Sequence, residues 1–341
     1  MKVFITGIAG LLGTHCAEYF RKKEWEVVGV DNLSEYELKR TKYNVVAARE
    51  HNINFLKSIG AEMTVFDVNN LDETFPPFER VDLIIHCAAQ PAMTVAIEDP
   101  KHDAINNILA TQNLLEVAKK LKIPIITCSS IHIYGNAGNE NLKEGKTRFL
   151  SPVDEIGEDD AILVGDISPL HVSKRAVELY TLSYAQTYKM RAACFRLTGF
   201  YGERQFGGMD HGWVANFAIR TIMRDQITIF GTDKQVRDVL HAEDIARACH
   251  FWFKNGSSGI FNICGGINFS ISLNEALSEL RQHILGQQNI VKEKARFGDL
   301  YYFVGSFKKA QNDFMWKPRI DFKEGCGRLM DWVKKNKGLF K

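Results

Sequence analysis

Gly7, Gly10 and Gly13 stand directly after a short apolar run and directly before a segment of helical period. Glycines there let the backbone turn tightly and admit a phosphate against free N–H groups, where a helix dipole favours negative charge. Alone, this pattern also fits a tight strand-to-helix turn with spare glycines. Asp31, which closes the next apolar run (EVVGVD) 18 residues after Gly13, sharpens the reading, because a carboxylate there would bond the hydroxyls of an adenosine ribose. Its charge repels a 2′-phosphate, so the combination predicts NAD rather than NADP as cofactor. Leu11, Leu12 and Asn32 belong to the same two turns. Asp67 and Val68, which end the third run, are placed to flank adenine, and Ala88, Ala89 and Gln90 after the fourth leave room for a dinucleotide backbone.

These turns need a scaffold that sets them along one edge. Apolar runs (KVFIT, EVVGVD, AEMTVF, DLIIHCA, IPIITCS) alternate with helix-period segments, 11–23 and 99–121 among them. That alternation predicts buried parallel strands with crossover helices, an α/β doubly wound sheet of Rossmann type. After Ser130 it lapses for about forty residues, 131–168, until a helix opens near Pro169 with Ser168 as N-cap. A surface insertion is the expectation for that stretch, with Arg148 or Phe149 brought over the site as the alternative. The organisation expected is a dinucleotide-binding domain over 1–196 and a smaller α/β substrate part over 197–341, with 236–241 returning to the main sheet.

At 341 residues the chain can bury a sizeable core, and its 43 Lys plus Arg against 41 Asp plus Glu form no basic block. A small-molecule ligand is expected, with neither nucleic acid nor membrane as partner. Seven scattered cysteines without Cys-x-x-Cys spacing read as reduced core residues of a cytoplasmic protein, and no metal site is expected. No run approaches the ~20 apolar residues of a membrane span.

The order of the glycine motif, Asp31, CAAQ, Asn107 in NNILATQN, SSIHIYG and Lys174 resembles the extended short-chain dehydrogenase/reductases, the sugar-nucleotide epimerases and dehydratases. Within them, AAQPAMTVAIEDP, FYGERQFGGMDHGWVANF, GTDKQVRDVLHAED and RFGDLYYFV look most like the CDP-tyvelose (CDP-paratose) 2-epimerases. The resemblance implies tightly held NAD, a nucleotide-diphosphate hexose as substrate and transient oxidation of a sugar carbinol. It also implies that Asn107 lies beside the cofactor, that Lys174 bonds the nicotinamide ribose and that Ser130 bonds the reacting hydroxyl. Gln205, Trp213 and Val214 fall in the segment that wraps the nucleotide in relatives. A homodimer through helices over 99–121 and 169–188 is implied as well. Arg237 and Arg296 suit a diphosphate, since a guanidinium fork matches phosphate oxygens, although surface ion pairing is the plainer role for each.

One position breaks the pattern. Relatives have a tyrosine as general base four residues before the lysine, and here that residue is Leu170. Leucine has no proton to exchange. Three readings stay open: another group carries the proton, with His132 preferred over His171; the chemistry is that of a dehydrogenase or dehydratase; or the chain binds NAD and sugar nucleotide while catalysing little. His132 is two residues beyond Ser130, where related dehydratases place an acid, and imidazole titrates near neutral pH.

Overall fold

The computed structural model describes residues 1–36 and 38–341. Its centre is a parallel seven-stranded sheet of β1 (Lys2–Thr6), β2 (Glu26–Asp31), β3 (Glu62–Val65), β4 (Leu83–His86), β5 (Ile125–Ser130), β8 (Ala192–Leu197) and β12 (Gly259–Ile263). The order across it is β12-β8-β5-β4-β1-β2-β3, every pair parallel. Strand order reverses between β1 and β4, and a crevice opens beyond the carboxyl ends at such a point. The unbroken apolar runs follow from this layering, because helices cover both faces: α1 (Leu11–Lys22) packs with α8 (Ala242–Asn255) on one, α5 (Ala110–Leu121) with α6 (Pro169–Thr187) on the other. Helix α2 (Val45–Ser58) and the short helices α3 (Met93–Glu98) and α4 (Pro100–Ala104) lie between strands, and a π-helical turn, Ile105–Leu109, joins α4 to α5.

The expected return of 236–241 to this sheet does not occur. That segment is β11 (Val236–His241), the middle of a separate four-stranded sheet with β9 (Gly199–Tyr201), β13 (Ser270–Ser272) and β15 (Tyr302–Phe303). The seventh place is taken by β12, whose run GIFNI is buried on both faces beside β8, whereas β11 is claimed at both edges by shorter strands. A pair of strands, β10 (Ile227–Phe230) with β14 (Ile290–Glu293), and helices α7 (Trp213–Met223), α9 (Leu273–Arg281) and α11 (Phe322–Lys335) enclose a second core. Helix α10 (Lys308–Phe314) returns to the first.

The 131–168 segment lies largely at the surface, as expected, with Ile156 alone buried between 139 and 167, but it is tied down as a strap. It carries a small hairpin of β6 (Lys143–Glu144) and β7 (Phe149–Leu150). Arg148 forks onto Glu275 of α9, Phe149 bonds Lys234, and Ile156 exchanges backbone bonds with Val304 and Ser306. Arg148 is therefore spent on the second core rather than held over the site, and the strap's polar composition reflects backbone and side-chain pairing to distant elements.

Beneath the crevice a hydrogen-bond chain sets the strand ends. Thr111 donates to Asn107 O (2.7 Å), so it accepts from His86 Nε2 (3.1 Å). His86 Nδ1 then accepts from Thr6 (2.7 Å), which accepts from Ala88 N–H (3.2 Å). Burial pushes the imidazole down to about 3, with Lys174 adding to the effect. The folded protein thus refuses a proton that the unfolded chain accepts below about pH 6.5. Stability is complete above that pH and drains as pH falls toward 3, by up to ~1.4 kcal/mol per pH unit. Melting temperature is expected to drop between pH 7.5 and 4.5, and His86→Gln to flatten part of that slope; an unchanged slope would mean that the imidazole is not held neutral.

Candidate functional site

A cleft of about 750 Å³ lies at the reversal point, lined by Gly7, Gly10, Asp31, Asn32, Asp67, Val68, Ala88, Ala89 and Gln90 among others. Gly7 has φ +63°, and a Cβ there would come within 2.8 Å of the Ala88 backbone. Gly10 is the N-cap of α1 without a side-chain cap, so the first-turn N–H groups at Leu11, Leu12 and Gly13 are open to an anion. Gly13 itself is a packing glycine: its Cβ would meet Gly7 O at 2.2 Å and Ile8 Cα at 2.6 Å. Leu12 is core, so these two residues offer backbone and not cleft wall. Asp31 is aimed by amides, Oδ2 accepting from Ala9 and Oδ1 from Leu33, at 3.0 and 2.8 Å. Open N–H groups, a turn that only glycine fits and a carboxylate at the second strand end match the needs of a dinucleotide.

Asn107 differs from expectation. It is buried and absent from the cleft wall, its amide spent on Gln90, Asp103 and Ser173. Through those bonds it shapes the Gln90 turn, so its bearing on a cofactor is indirect. Sequence reading missed Asp103, Thr6, His86 and Thr111, each with a partner between 13 and 82 residues away besides any nearer one, and also Arg49, His102 and Asn106, which line the cleft. No local spacing marks any of them.

At the end of β5, Ser130 Oγ accepts from His132 N–H (3.2 Å) and caps the turn Ile131–Tyr134. The His132 ring stands perpendicular to that of His171, centroids 6.0 Å apart, and its Nδ1 is buried with no partner. Burial, followed by the charges of His171 and Arg237, pushes His132 down to about 3, so the ring is neutral at physiological pH. His171 is turned to the helix start, where Nδ1 accepts from Ser168 N–H (2.9 Å) and lies 2.7 Å from Ser168 Oγ. Ser168 is thus the N-cap expected, but its partner His171 is committed to capping. Leu170 is buried on the face of α6 that carries Lys174 one turn on. Burial lowers the Lys174 ammonium, with Cys128 and Asp103 among the groups opposing that shift.

Behind these groups Glu178, fully buried, accepts from Ser129 Oγ (3.0 Å), Arg196 Nε (2.8 Å) and Arg175 (2.7 Å). Ser129 also reaches Lys174 O, which ties β5 to α6.

The substrate candidates come from the second core. Arg237 donates to Val236 O (2.8 Å) and to Leu300 O, lies 3.7 Å from Asp299, and is lowered by burial to about 10. Arg296 donates to Met209 O (2.8 Å) and sits over the Phe230 ring. Gln205 is buried with Oε1 unpartnered, a polar atom left for a ligand. Trp213 opens α7 against Phe217, whereas Val214 is a core residue of that helix rather than a wall. Asp238 and His241 are engaged in structural bonds: Asp238 accepts from Thr198 Oγ1 and Gly265 N–H. His241 Nδ1 accepts from Glu243 N–H, so Nε2 donates to Glu203 (2.9 Å). His15, Glu203 and His241 cluster closely enough to suggest a metal. The protons contradict that: His15 Nδ1 faces Arg204 Nη2 and its Nε2 lies 3.0 Å from Glu203 O, so both ring edges that face Glu203 donate.

With this geometry in place, comparison with known proteins gives a consistent result. The model of the NAD dependent epimerase/dehydratase family matches residues 3–264. The chain is 31% identical to the CDP-paratose 2-epimerase of Salmonella typhi, over 98% of this chain and 99% of that protein. Among solved structures, UDP-glucose 4-epimerase of Thermotoga maritima with UDP-glucose is similar at TM-score 0.81 and 25% identity, covering 99% of this chain and all of that one. The UDP-glucose 4-epimerase of Thermus thermophilus in complex with NAD is similar at TM-score 0.80 and 26% identity, over 98% and 100%.

The Asp31 carboxylate, fixed by amides and unable to swing away, should favour NAD over NADP by about a hundredfold. Calorimetric titration of both dinucleotides checks this; Asp31→Ala should narrow the ratio, and equal affinities for the native chain would contradict the assignment.

Proposed function

Since the chain belongs to the NAD dependent epimerase/dehydratase family, we propose that it is an NAD-dependent epimerase of nucleotide-diphosphate sugars, CDP-sugar 2-epimerase-like, in which His132 carries the proton that Leu170 cannot. The observation that carries this reading is a half-buried, neutral imidazole two residues after Ser130 whose buried Nδ1 has no partner. When bound, the dinucleotide supplies reversible hydride acceptance from a sugar carbinol carbon. Gly7, Gly10, Asp31 and the open N–H groups of α1 would hold it, and Lys174 would bond its ribose. Ser130 hydroxyl orients the reacting sugar hydroxyl, and neutral His132 takes its proton. Partial burial of both limits water there and leaves the imidazole neutral but a weak base, so proton transfer to it is the demanding part of the reaction. Arg237 and Arg296 would bind the diphosphate, and Gln205 and Trp213 the rest of the nucleotide.

The test is turnover of CDP- and UDP-hexoses by NAD-loaded protein, followed by product stereochemistry. His132→Ala should lower kcat by about a hundredfold or more with NAD affinity within about twofold, and adding Leu170→Tyr should recover part of the loss. With His132 held near 3, kcat/KM should stay level from about pH 8 to 5. Unchanged turnover in His132→Ala removes it as the proton carrier. The apolar, fully buried Leu170 favours a second reading, a binder that does not turn over, and saturable binding without product would support it.

We also infer a cytoplasmic homodimer. Among the described residues no helix is long and apolar enough to cross a membrane. Ile97, Leu109, Val172, Leu179 and Tyr180 form exposed apolar positions on α3, the 105–109 turn and α6, which a two-fold partner would cover. Sedimentation should give twice the 38.7 kDa chain mass, and Val172→Asp with Leu179→Lys a monomer that still binds NAD; a monomeric native chain would refute the pairing.

A further inference from the structure

Two walls of the dinucleotide cleft come from different parts of the chain. Asn32 and Ser34, after β2, line one, while His102 of α4 and Asn106 line another. Arg40 crosses between them. Its Nη1 and Nη2 fork onto Glu98, the last residue of α3, at 2.6 and 3.1 Å, and its Nε donates to Asp210 at 2.8 Å. Tyr36 repeats the crossing by stacking on His102, centroids 4.4 Å apart. Asp210 adds a third element, for it lies on the β9–α7 connection that also holds Gln205 and Met209. Its other oxygen accepts from Thr94 of α3 (2.7 Å), and Arg296 acts on its charge while donating to Met209 O.

We propose that Arg40 is a positioning residue that retains the bound dinucleotide and makes its release depend on the substrate-facing connection 202–212. An exposed single ion pair would contribute little, but a bidentate fork shared with a second carboxylate is the geometry in which such pairs count. The asymmetry strengthens the case: without the guanidinium, Glu98 and Asp210 confront each other as like charges, so the walls lose a bond and gain a repulsion. The epimerase reading, on which this rests, supplies the need for retention, because a reduced dinucleotide that escapes before the hydride returns strands the oxidised sugar. A nucleoside diphosphate that orders 202–212 would hold Asp210 on Arg40 and slow release, and by linkage the dinucleotide would tighten the nucleotide.

The experiment follows release of NADH from the loaded full-length chain by fluorescence after mixing with excess NAD, with and without CDP or UDP. Native protein should release slowly, and more slowly with nucleotide. Arg40→Gln should release roughly five to ten times faster and lose the response to nucleotide, with Arg40→Lys between the two. Asp210→Asn should abolish the response while Glu98→Gln mainly speeds basal release, and the melting temperature of each loaded variant should stay near native. Native-like release and response in Arg40→Gln would overturn the proposal, as would a native rate indifferent to both nucleotides. Failure to epimerise any sugar nucleotide would refute the functional reading without disturbing these release rates.

Discussion

Glu178 is a carboxylate with no exposed surface, and the reactive geometry follows from how it is satisfied. An unpaired buried charge costs several kcal/mol, so the helix that bears it must dock where donors await it. Those donors are Ser129 on β5 and Arg196 on β8, with Arg175 from its own helix. Docking α6 there ties the Lys174 backbone to the end of β5 through Ser129, with Leu170 one turn before it on the same helix. Arg196 extends the constraint by donating to Tyr134 (2.7 Å), whose hydroxyl lies 2.9 Å from Gly157 O and Asn262 Oδ1. One ion network therefore seats the helix, the turn bearing His132, the 131–168 strap and the edge strand β12.

The cleft proposed to hold the dinucleotide works by a different principle. Its polarity comes from backbone groups: uncapped N–H groups at α1, and amides that clamp Asp31. Backbone dipoles need no side-chain ordering on binding, and the tight contacts at Gly7 and Gly13 keep them from relaxing. Asn107, Asp103 and the Thr6-His86-Thr111 chain stand one layer back, aligning the strand ends from which those amides project.

Leu170 shifts the electrostatics of the site as well as removing a phenol. Lys174 remains buried one turn from an apolar side chain, and its charge adds to the burial that holds the His86 ring neutral. Low solvation and the nearby Arg237 charge both favour a neutral His132. The unpartnered Nδ1 at this end of the sheet belongs to a residue on β5's exit turn rather than on α6.

Much of this was readable in one dimension. The glycine spacing, Asp31 at the strand end, and the alternation of apolar runs with helical segments each encode local geometry, so the parallel sheet and the glycine turn before α1 were legible. Ser168 as N-cap was legible for the same reason. Short-range rules do not reach the rest. The exchange of β11 for β12 in the central sheet, the packing role of Val214, the commitment of Asn107 to its neighbours, and the strap made by 131–168 all depend on partners tens of residues away. Whether a histidine is neutral, and whether an arginine is spent or free, is likewise decided by burial and by what packs against it, quantities that exist only once the chain has closed.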